Sequence, residues 1–481
     1  MNQDSLDLEP SAFQQILEAS KQLILEQYQD LFTQKAYHDF SQKEVASWFD
    51  ETLPQQGMNP KELFAFVREK VLARATNNLG PHMYAYVMAG GNQISTIAES
   101  LATTVNQNVT KWHLAPVMTE IEKSVIRWTG EMLDLPHHQG GVMISGGSAA
   151  NLTGLTVARN IFFEKEGIKE KGLFGMKPFV VYTSNQVHSC VDKSVQILGI
   201  GSAQLRKIAS NAQFQIDLEQ LERTIQQDMA QGYRPFCIVG TAGSVNTGAI
   251  DDLEGLAVLA QKYNMWFHID GAYGGLCRAL ASQKDKYKGM EKADSIALDF
   301  HKWLYQPFEA GCTLVKDWDS LNKTYFKKAE YLETDLEQDT RRLEFNEHAF
   351  QLSRNAKAFK VWMSLKYYGF EKIRAMIQKD IDLTMYLAEE MEKSSDFEVK
   401  ALSLAVLCFH FKAHYRAEKE ILTLNQKLIP ALEADGRVFI TGTKLKGEFV
   451  IRACLINHRK TRESCDYLLR TIREVGKKIR L

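Results

Sequence analysis

Apolar residues recur at helical spacing near the start of the chain. Between Phe13 and Leu31 they return every three or four positions, which predicts an amphipathic helix. A second helix is predicted from Pro60 to Ala75, because Pro60 follows Asn59, a residue type that caps helices. Two helices are too few for an independent core, so we expect them to pack on the rest of the chain or on a second subunit.

From Gly140 onward, short apolar runs alternate with stretches of helical spacing. The runs are Val142–Ile144, Phe179–Tyr182, Phe236–Val239, Met265–Ile269, Ser295–Leu298 and Cys312–Val315. This alternation predicts an α/β domain with a mostly parallel central sheet and helices on both faces. Ligands bind at the carboxyl ends of such strands, so the residues after each run are the first candidates for chemistry.

The last third of the chain mixes helical stretches with apolar runs less regularly. Long helices are expected over 367–392, and strands over 397–402 and 449–454. We therefore divide the chain into an N-terminal helical segment (1–80), a large domain (81–365) and a small C-terminal α+β domain (366–481).

Charge and cysteine content exclude several classes of protein. Lys and Arg number 58 against 59 Asp and Glu, so we expect neither nucleic acid nor a membrane surface as partner. The seven cysteines show no zinc spacing, and their odd number predicts free thiols in a reducing compartment and no metal site. The chain shows neither a signal-peptide pattern at its start nor an apolar run long enough to span a bilayer, so we expect a cytoplasmic protein.

Polar stretches follow the predicted strands. Gly146, Gly147 and Ser148 stand at a predicted helix start, where backbone N–H groups and the helix dipole suit a phosphate, although a structural turn has the same pattern. His188 follows the strand that ends at Tyr182. It could stack on an aromatic ring or transfer protons, or it could be a structural histidine.

Three further stretches complete the set. The loop Gly240–Gly248, which contains Thr241, can donate hydrogen bonds or serve as an ordinary turn. Asp270 ends an apolar strand, where a carboxylate needs a partner such as a protonated ring nitrogen. Lys302 lies 302 − 270 = 32 residues later and could form a Schiff base if desolvated, or extend to the surface. Together these residues meet the requirements of pyridoxal 5'-phosphate (PLP).

On these residues the chain resembles the group II PLP-dependent amino-acid decarboxylases, which include aromatic L-amino-acid and glutamate decarboxylases. Asp299-Phe-His-Lys-Trp303 is similar to the family's Asp/Asn-x-His-Lys-Trp motif. His268-Ile-Asp-Gly-Ala-Tyr-Gly274 is similar to the stretch that carries its aspartate, and Val187-His-Ser189 to the stretch that carries its stacking histidine. The resemblance extends from about Pro81 to Arg452.

The resemblance implies PLP-dependent transferase fold type I, which is aspartate-aminotransferase-like, and a homodimer with shared active sites. It implies that Lys302 binds PLP, that Asp270 holds the pyridine nitrogen and that His188 stacks on the ring. The implied cofactor-binding residues are Gly146, Gly147, Ser148, His188, Thr241, Asp270, Ala272, Asp299, His301 and Lys302. Of these, Lys302, His188, Asp270 and His301 are the implied catalytic residues.

The implied reaction is decarboxylation of an L-amino acid to the corresponding amine and CO2. The implied substrate pocket contains Tyr84, Tyr86, Val87, Trp112 and Phe345, whose character favours an aromatic or large apolar amino acid. However, Asn108 and Thr110 stand where aromatic decarboxylases tend to be apolar, so glutamate, or an aliphatic or basic amino acid, is the alternative substrate.

One position departs from the family pattern. Many relatives carry a tyrosine on a mobile loop that protonates the substrate Cα, and a gapless count from Arg354 places Phe345 there. Loss of that tyrosine is associated in this family with oxidative, aldehyde-forming chemistry, although a loop shift could bring His348 there instead. We favour simple decarboxylation because His188 is retained. An aminotransferase or a carbon–carbon lyase on the same fold is a further alternative, which the residues around Lys302 disfavour.

Overall fold

The computed structural model of the chain describes residues 5–327, 342–415 and 417–480. The chain divides into two compact units. The first contains Met1–Met88, Glu389–Lys400 and Phe409–Leu481, and the second contains Ala89–Ala388 and Ala401–Cys408. The division into 1–80, 81–365 and 366–481 stays a prediction of domain organisation.

The helices and strands alternate through most of the second unit. The helices are α1 (Pro10–Gln27), α2 (Gln42–Ser47), α3 (Pro60–Phe66), α4 (Gln93–Val105), α5 (Pro116–Met132), α6 (Gly146–Phe162), α7 (Ile168–Lys171), α8 (Ser189–Ile197), α9 (Leu218–Ala230), α10 (Leu253–Lys262), α11 (Phe300–Trp303), α12 (Trp318–Tyr325), α13 (Lys357–Tyr368), α14 (Phe370–Glu392), α15 (Glu418–Asp435) and α16 (Arg462–Gly476). The strands are β1 (Gly140–Ile144), β2 (Phe179–Ser184), β3 (Leu205–Ile208), β4 (Arg234–Thr241), β5 (Trp266–Asp270), β6 (Ser295–Asp299), β7 (Gly311–Val315), β8 (Phe397–Ser403), β9 (Val406–Phe411), β10 (Thr441–Leu445) and β11 (Glu448–Cys454).

The two helices predicted at the N-terminus are present. Helix α1 has a proline at its first turn, and α3 begins at Pro60 directly after Asn59. The Asn59 side chain accepts a hydrogen bond from the Lys61 N–H, so the predicted cap is confirmed. A π-helical turn over Val67–Leu72 follows α3 and accounts for most of the remaining predicted helix.

The central sheet of the second unit has seven strands in the order β1-β7-β6-β5-β4-β2-β3. Four neighbouring pairs are parallel (β2–β3, β2–β4, β4–β5 and β5–β6), and the two pairs that involve β7 are antiparallel. The expected α/β fold with a mostly parallel sheet is therefore confirmed. Strand β3 was not predicted, because only its first and last residues are apolar and two basic residues stand between them, so this edge strand shows neither an apolar run nor strict alternation.

Helices cover the sheet, and its strands are buried. Every residue of β2 and of β6 is buried, as expected for strands packed between helices on both faces. Leu155 of α6 and Val191 of α8 belong to one apolar cluster with Val181 of β2 and Phe236 of β4. This packing of helices on the sheet determines the positions of the strand ends.

The register of the parallel strands brings their polar carboxyl ends together. Thr241 of β4 stands opposite Asp270 of β5, and Asp270 stands opposite Ala297, two residues before Asp299 at the end of β6. Residues that are distant in sequence therefore meet at one edge of the sheet.

A second, four-stranded sheet has the order β10-β11-β9-β8. Its strand β10 pairs antiparallel with β11, and Thr441 stands opposite Arg452. Among the described residues, no helix combines the length and the apolar character needed to cross a bilayer. The same ranges hold no group of three or more His, Cys, Asp or Glu side chains placed to bind a metal.

Candidate active site

A cavity of about 280 Å³ lies in the second unit, where the strands of the central sheet end. Its walls bring together every residue that the sequence assigned to the cofactor. These residues are Gly146, Gly147, Ser148, His188, Thr241, Asp270, Ala272, Asp299, His301 and Lys302. They come from the ends of β1, β4, β5 and β6 and from the loop after β2.

The glycine turn after β1 is held against its neighbours by a close backbone approach. Gly146 has a φ of +69°, which favours glycine. The Gly147 N–H donates a hydrogen bond of 2.7 Å to Asp299 Oδ2. A Cβ on Gly147 would stand only 2.8 Å from the Ala272 Cβ, so the contact between the turn and the segment that follows β5 requires glycine there.

Asp299 connects this turn to the lysine motif. Its side chain is buried, and its Oδ1 lies 2.6 Å from Nδ1 of His301. Since Oδ2 receives the Gly147 N–H, the two oxygens of one carboxylate contact the glycine turn and the ring next to Lys302. The spacing of the Asp-x-His-Lys sequence therefore positions three parts of the site at once.

Asp270 and Thr241 form the part of the wall that ends β4 and β5. Asp270 is 5% exposed, and its Oδ1 accepts a 3.2 Å hydrogen bond from the Ala272 N–H. Thr241 Oγ1 is buried and makes no hydrogen bond to any described residue. The Thr241 N–H donates to Asp251, whose pKa burial raises to about 6. A buried carboxylate and an unpaired hydroxyl are thus available to a polar ligand.

His188 caps helix α8. Its Nδ1 accepts a 3.1 Å hydrogen bond from the Cys190 N–H, so the proton of the neutral ring lies on Nε2. Burial lowers the pKa of His188, and the charges of Lys302 and Lys193 act in the same direction, whereas Asp270 raises it. The ring is therefore held in the neutral form, which suits stacking on a flat ligand.

These groups fit PLP. The turn at the start of α6 presents Ser148 and the helix dipole to an anion, as a phosphate requires. The Asp270 carboxylate suits a protonated ring nitrogen, the unpaired Thr241 hydroxyl suits a polar ring substituent, and Lys302 on the wall suits covalent attachment.

Sequence reasoning missed six residues of the wall: Ser145, Asn151, Cys190, Gly243, Val245 and Tyr273. Most stand beside residues that were recognised. Gly243 and Val245 belong to the Gly240–Gly248 loop, and Cys190 follows His188 by two positions. Asn151 stands one helical turn after Gly147, so helical spacing from the glycine turn could have indicated it.

None of the five residues assigned to the substrate pocket is part of this wall. Tyr84, Tyr86 and Val87 belong to the first unit. Tyr84 is fully buried there, because its hydroxyl donates to the Ser464 carbonyl and the Lys460 ammonium lies 3.7 Å from its ring centroid. Tyr86 is exposed and Val87 is half-buried. Their contact with a substrate stays a prediction.

Trp112 and Phe345 lie in the second unit, outside the cavity wall. The Trp112 indole donates to Glu120 Oε1 at 3.0 Å. Phe345 is 1% exposed, and the Arg354 guanidinium stands 4.4 Å from its ring centroid. His348, the alternative proton donor, packs edge-on against Trp318. The pocket roles of Trp112 and Phe345 also stay predictions.

Comparison with known proteins identifies the family. Residues 43–412 match the Pyridoxal-dependent decarboxylase conserved domain. The chain is 31% identical to an aromatic-L-amino-acid decarboxylase of Bacillus atrophaeus over 99% of its own length and 98% of that protein. It is 28% identical to a phenylacetaldehyde synthase of Arabidopsis thaliana over 82% of both proteins.

The fold agrees with solved structures. The crystal structure of Oryza sativa TDC with PLP and tryptamine superposes with a TM-score of 0.93 at 22% identity, covering 98% of this chain and 99% of that one. The expected PLP-dependent transferase fold is therefore confirmed. Because the domain match covers most of the sequence and the site holds the residues that PLP requires, the chain belongs to the pyridoxal-dependent decarboxylase family.

Proposed function

We propose that this enzyme decarboxylates an aromatic L-amino acid to the corresponding amine and CO2. The observation that carries the proposal is the convergence of Lys302, Asp270, His188 and the glycine turn on one cavity. The printed activity of the Bacillus atrophaeus relative supports the choice of an aromatic substrate. Glutamate, or an aliphatic or basic amino acid, is the competing substrate class.

Each side chain of the wall has a distinct task. PLP, when bound, supplies an electron sink for the bond to the leaving carboxylate. Lys302 would hold the cofactor covalently and release it to the substrate amine. Asp270 would keep the ring nitrogen protonated, and this electrostatic stabilisation increases in the transition state. His188, neutral and with its proton on Nε2, would lie on the ring.

Phosphate binding falls mainly on Ser148 and on the start of α6. The Gly147 N–H already donates to Asp299, so it maintains the position of the turn. Ser148 lines the cavity beside this peptide. Its hydroxyl and the positive end of the helix dipole provide the anion site.

Substitution of Lys302 is the direct test. Lys302→Ala should remove the visible absorption of enzyme-bound cofactor and all turnover, because Lys302 is the only lysine among the described residues that line the cavity. Lys193→Ala, which removes a nearby charge on α8, should retain both properties. Absorption and CO2 release that persist in Lys302→Ala would refute the assignment.

The substrate is tested with a panel of L-amino acids. CO2 release should be fastest with tryptophan, tyrosine, phenylalanine or their hydroxylated forms. Amine formation without any keto-acid acceptor would exclude an aminotransferase. A clear preference for glutamate or for a basic amino acid would show that the aromatic assignment is wrong.

An aldehyde-forming reaction is the second candidate, because one relative is a phenylacetaldehyde synthase. The predicted replacement of a loop tyrosine by Phe345 favours it as well. We prefer amine formation, since Phe345 is buried beneath Arg354 and so has a packing role of its own. Purified enzyme should yield amine and CO2 in equal amounts. Consumption of O2 with formation of aldehyde, CO2, ammonia and hydrogen peroxide in equal amounts would establish the second candidate.

We also propose that two copies of the chain form a homodimer with shared active sites. Exposed apolar side chains on α1 and α4 support this assembly: Phe13 and Leu17 on α1, and Ile97 and Leu101 on one face of α4. Leu101→Glu should shift the mass measured by light scattering from dimer to monomer. Val258→Glu, at an equally exposed apolar position on α10, should not. A wild-type monomer would refute the proposal.

A cytoplasmic location completes the proposal. The seven cysteines are all free and buried, which supports folding in a reducing compartment. Cell fractionation should recover the enzyme with the cytosol, and its recovery with another fraction would contradict this location.

A further inference from the structure

A line of polar side chains runs through the apolar interior behind the cavity. Trp266 and His268 lie on β5, and Ser295 stands opposite His268 at the start of β6. Asn151 lies in the first turns of α6 and also reaches the cavity wall. The last three are fully buried, where polar atoms are costly unless each has a partner.

The contacts between these side chains are continuous. The Trp266 indole N–H donates to Ser295 Oγ at 2.9 Å, and Ser295 Oγ lies 2.8 Å from His268 Nδ1. His268 Nε2 lies 2.9 Å from Asn151 Oδ1. Asn151 Nδ2 then donates to the Gly147 carbonyl at 2.9 Å. The line therefore ends on the peptide of the glycine turn.

The direction of donation follows from the chemistry of the two ends. A backbone carbonyl only accepts, so the amide nitrogen of Asn151 must face Gly147 and its oxygen must face His268. His268 therefore carries its proton on Nε2, and Nδ1 accepts from the Ser295 hydroxyl. The Ser295 oxygen is then free to accept from Trp266, whose indole only donates. The Gly147 carbonyl at one end of the line and the Trp266 indole at the other therefore impose the same direction of hydrogen-bond donation.

The packing around His268 preserves this arrangement. Burial lowers the pKa of His268 to about 4, so the ring stays neutral near pH 7. A Cβ on Gly154 would lie 2.5 Å from His268 Cε1, so only glycine at that position of α6 leaves space for the ring. At the turn, both backbone polar groups of Gly147 are held: its N–H donates to Asp299, and its C=O accepts from the Asn151 side chain.

We propose that Trp266, Ser295 and His268 are positioning residues, which orient Asn151 and thereby hold the Gly146–Ser148 turn in the geometry that binds the cofactor phosphate. This inference rests on the proposed function, because PLP must occupy the cavity. With Asn151 reversed, its oxygen would face the Gly147 carbonyl, and the two acceptors would repel each other. The turn would then lose its support on one side.

The affinity of the apoenzyme for PLP tests the role. Ser295→Ala should weaken PLP binding by about tenfold, because it removes the only hydroxyl in the line and frees His268 to change tautomer. Trp266→Phe removes the terminal donor and should weaken binding by about threefold. Fluorescence titration of apoenzyme with PLP gives the dissociation constant without any turnover.

Thr313→Val is the matched control. Thr313 is buried on β7, and its hydroxyl donates to the Ala150 carbonyl of the same helix α6 at 2.9 Å, outside the line. This variant should lose stability, as measured by Tm, but keep the wild-type dissociation constant for PLP. Wild-type affinity in both Ser295→Ala and Trp266→Phe would overturn the proposal, as would an equal loss of affinity in Thr313→Val.

Neutron diffraction from the holoenzyme tests the direction of donation. The deuterium of His268 should lie on Nε2 alone, and the Asn151 amide should point to Gly147. A deuterium on Nδ1 would overturn the inference even if the affinities changed as expected. Absence of PLP binding by the wild-type protein would instead refute the proposed function, so the two failures are distinguishable.

Discussion

Asp299 shows how much of the site depends on a single carboxylate. One oxygen accepts the Gly147 N–H and the other contacts His301, the residue before Lys302. Because the side chain is buried, its hydrogen bond from the Gly147 N–H is protected from water and is stronger than it would be at the surface. The position of Lys302 relative to the glycine turn is therefore set by one residue of its own motif.

In the proposed function, Asp270 would carry the charge on which catalysis most depends. Asp270→Asn keeps the shape of the side chain and its contact with the Ala272 N–H but removes the negative charge. We expect kcat to fall by about 10²–10³-fold, with weaker but measurable PLP binding, because the ring nitrogen loses its ionic partner. Steady-state kinetics with saturating PLP gives the value.

Asp192→Asn is the control for Asp270→Asn. Asp192 also lies near His188, but its carboxylate pairs with Lys207 at 2.7 Å. Its loss should leave kcat within about twofold of wild type, because a partly exposed ion pair contributes little. Equal effects of the two substitutions would mean that general electrostatics, and not a specific partner of the cofactor, explains the result.

At the scale of elements, the site depends on how closely α6 packs on β5. Gly154 in α6 leaves space for the His268 ring, and Gly147 leaves space for Ala272. The two glycines stand seven residues apart, so they lie on one face of the helix. Their spacing lets the helix approach the strand that carries Asp270.

Gly154→Ala tests this packing, because packing and helix propensity predict changes of opposite sign in the free energy of unfolding. In an exposed helix the substitution would stabilise by about 0.5–1 kcal/mol. Here the new Cβ would meet His268 Cε1, so we expect a net destabilisation of about 1–3 kcal/mol and a lower Tm. Thermal unfolding of Gly154→Ala, His268→Ala and the double variant gives the coupling energy between the two positions. The double variant should be less destabilised than the sum of the two single variants, because without the His268 ring the new Cβ meets no clash. A higher Tm in the single variant Gly154→Ala would contradict this account.

At the scale of the whole molecule, buried histidines make stability depend on pH. Burial lowers the pKa of His82, His138 and His268 to about 4 in each case. In the unfolded chain these rings titrate near 6.5, so between pH 6.5 and 4 the unfolded state binds more protons. Their contribution is complete above pH 6.5 and is lost as the pH falls toward 4.

His138→Gln measures one such contribution. The His138 Nε2 lies 2.9 Å from the Ala293 carbonyl, and a glutamine amide can supply the same donor without titrating. Lowering the pH from 7.5 to 5.5 should reduce the free energy of unfolding more in the wild type than in the variant, by up to about 1.4 kcal/mol per pH unit below 6.5. Denaturant unfolding at the two pH values measures both free energies. Asp251, whose raised pKa makes its own contribution to stability grow as the pH falls, contributes equally in both proteins and so cancels in the comparison. An identical pH dependence in both proteins would contradict this account.

The order and type of the elements followed from sequence alone, because each depends on neighbours along the chain. Apolar runs of three to five residues predicted six of the seven central strands, and polar residues at their ends indicated the candidate site. Lys302, Asp270 and His188 follow apolar runs, and they led to the predicted PLP site only together with the glycine turn and the resemblance to a known family.

Tertiary structure alone decided which side chains meet. Tyr84, assigned to the substrate pocket, is buried against Ser464, which lies 380 residues away in sequence. The direction of the line from Trp266 to Gly147 depends on β5, β6 and α6 lying side by side. The local pattern of apolar and polar residues determines the helices and strands, whereas packing between distant segments determines which side chains are partners. Hydrogen bonds and close contacts depend on how neighbouring elements are aligned, and the periodicity of one element does not specify that alignment.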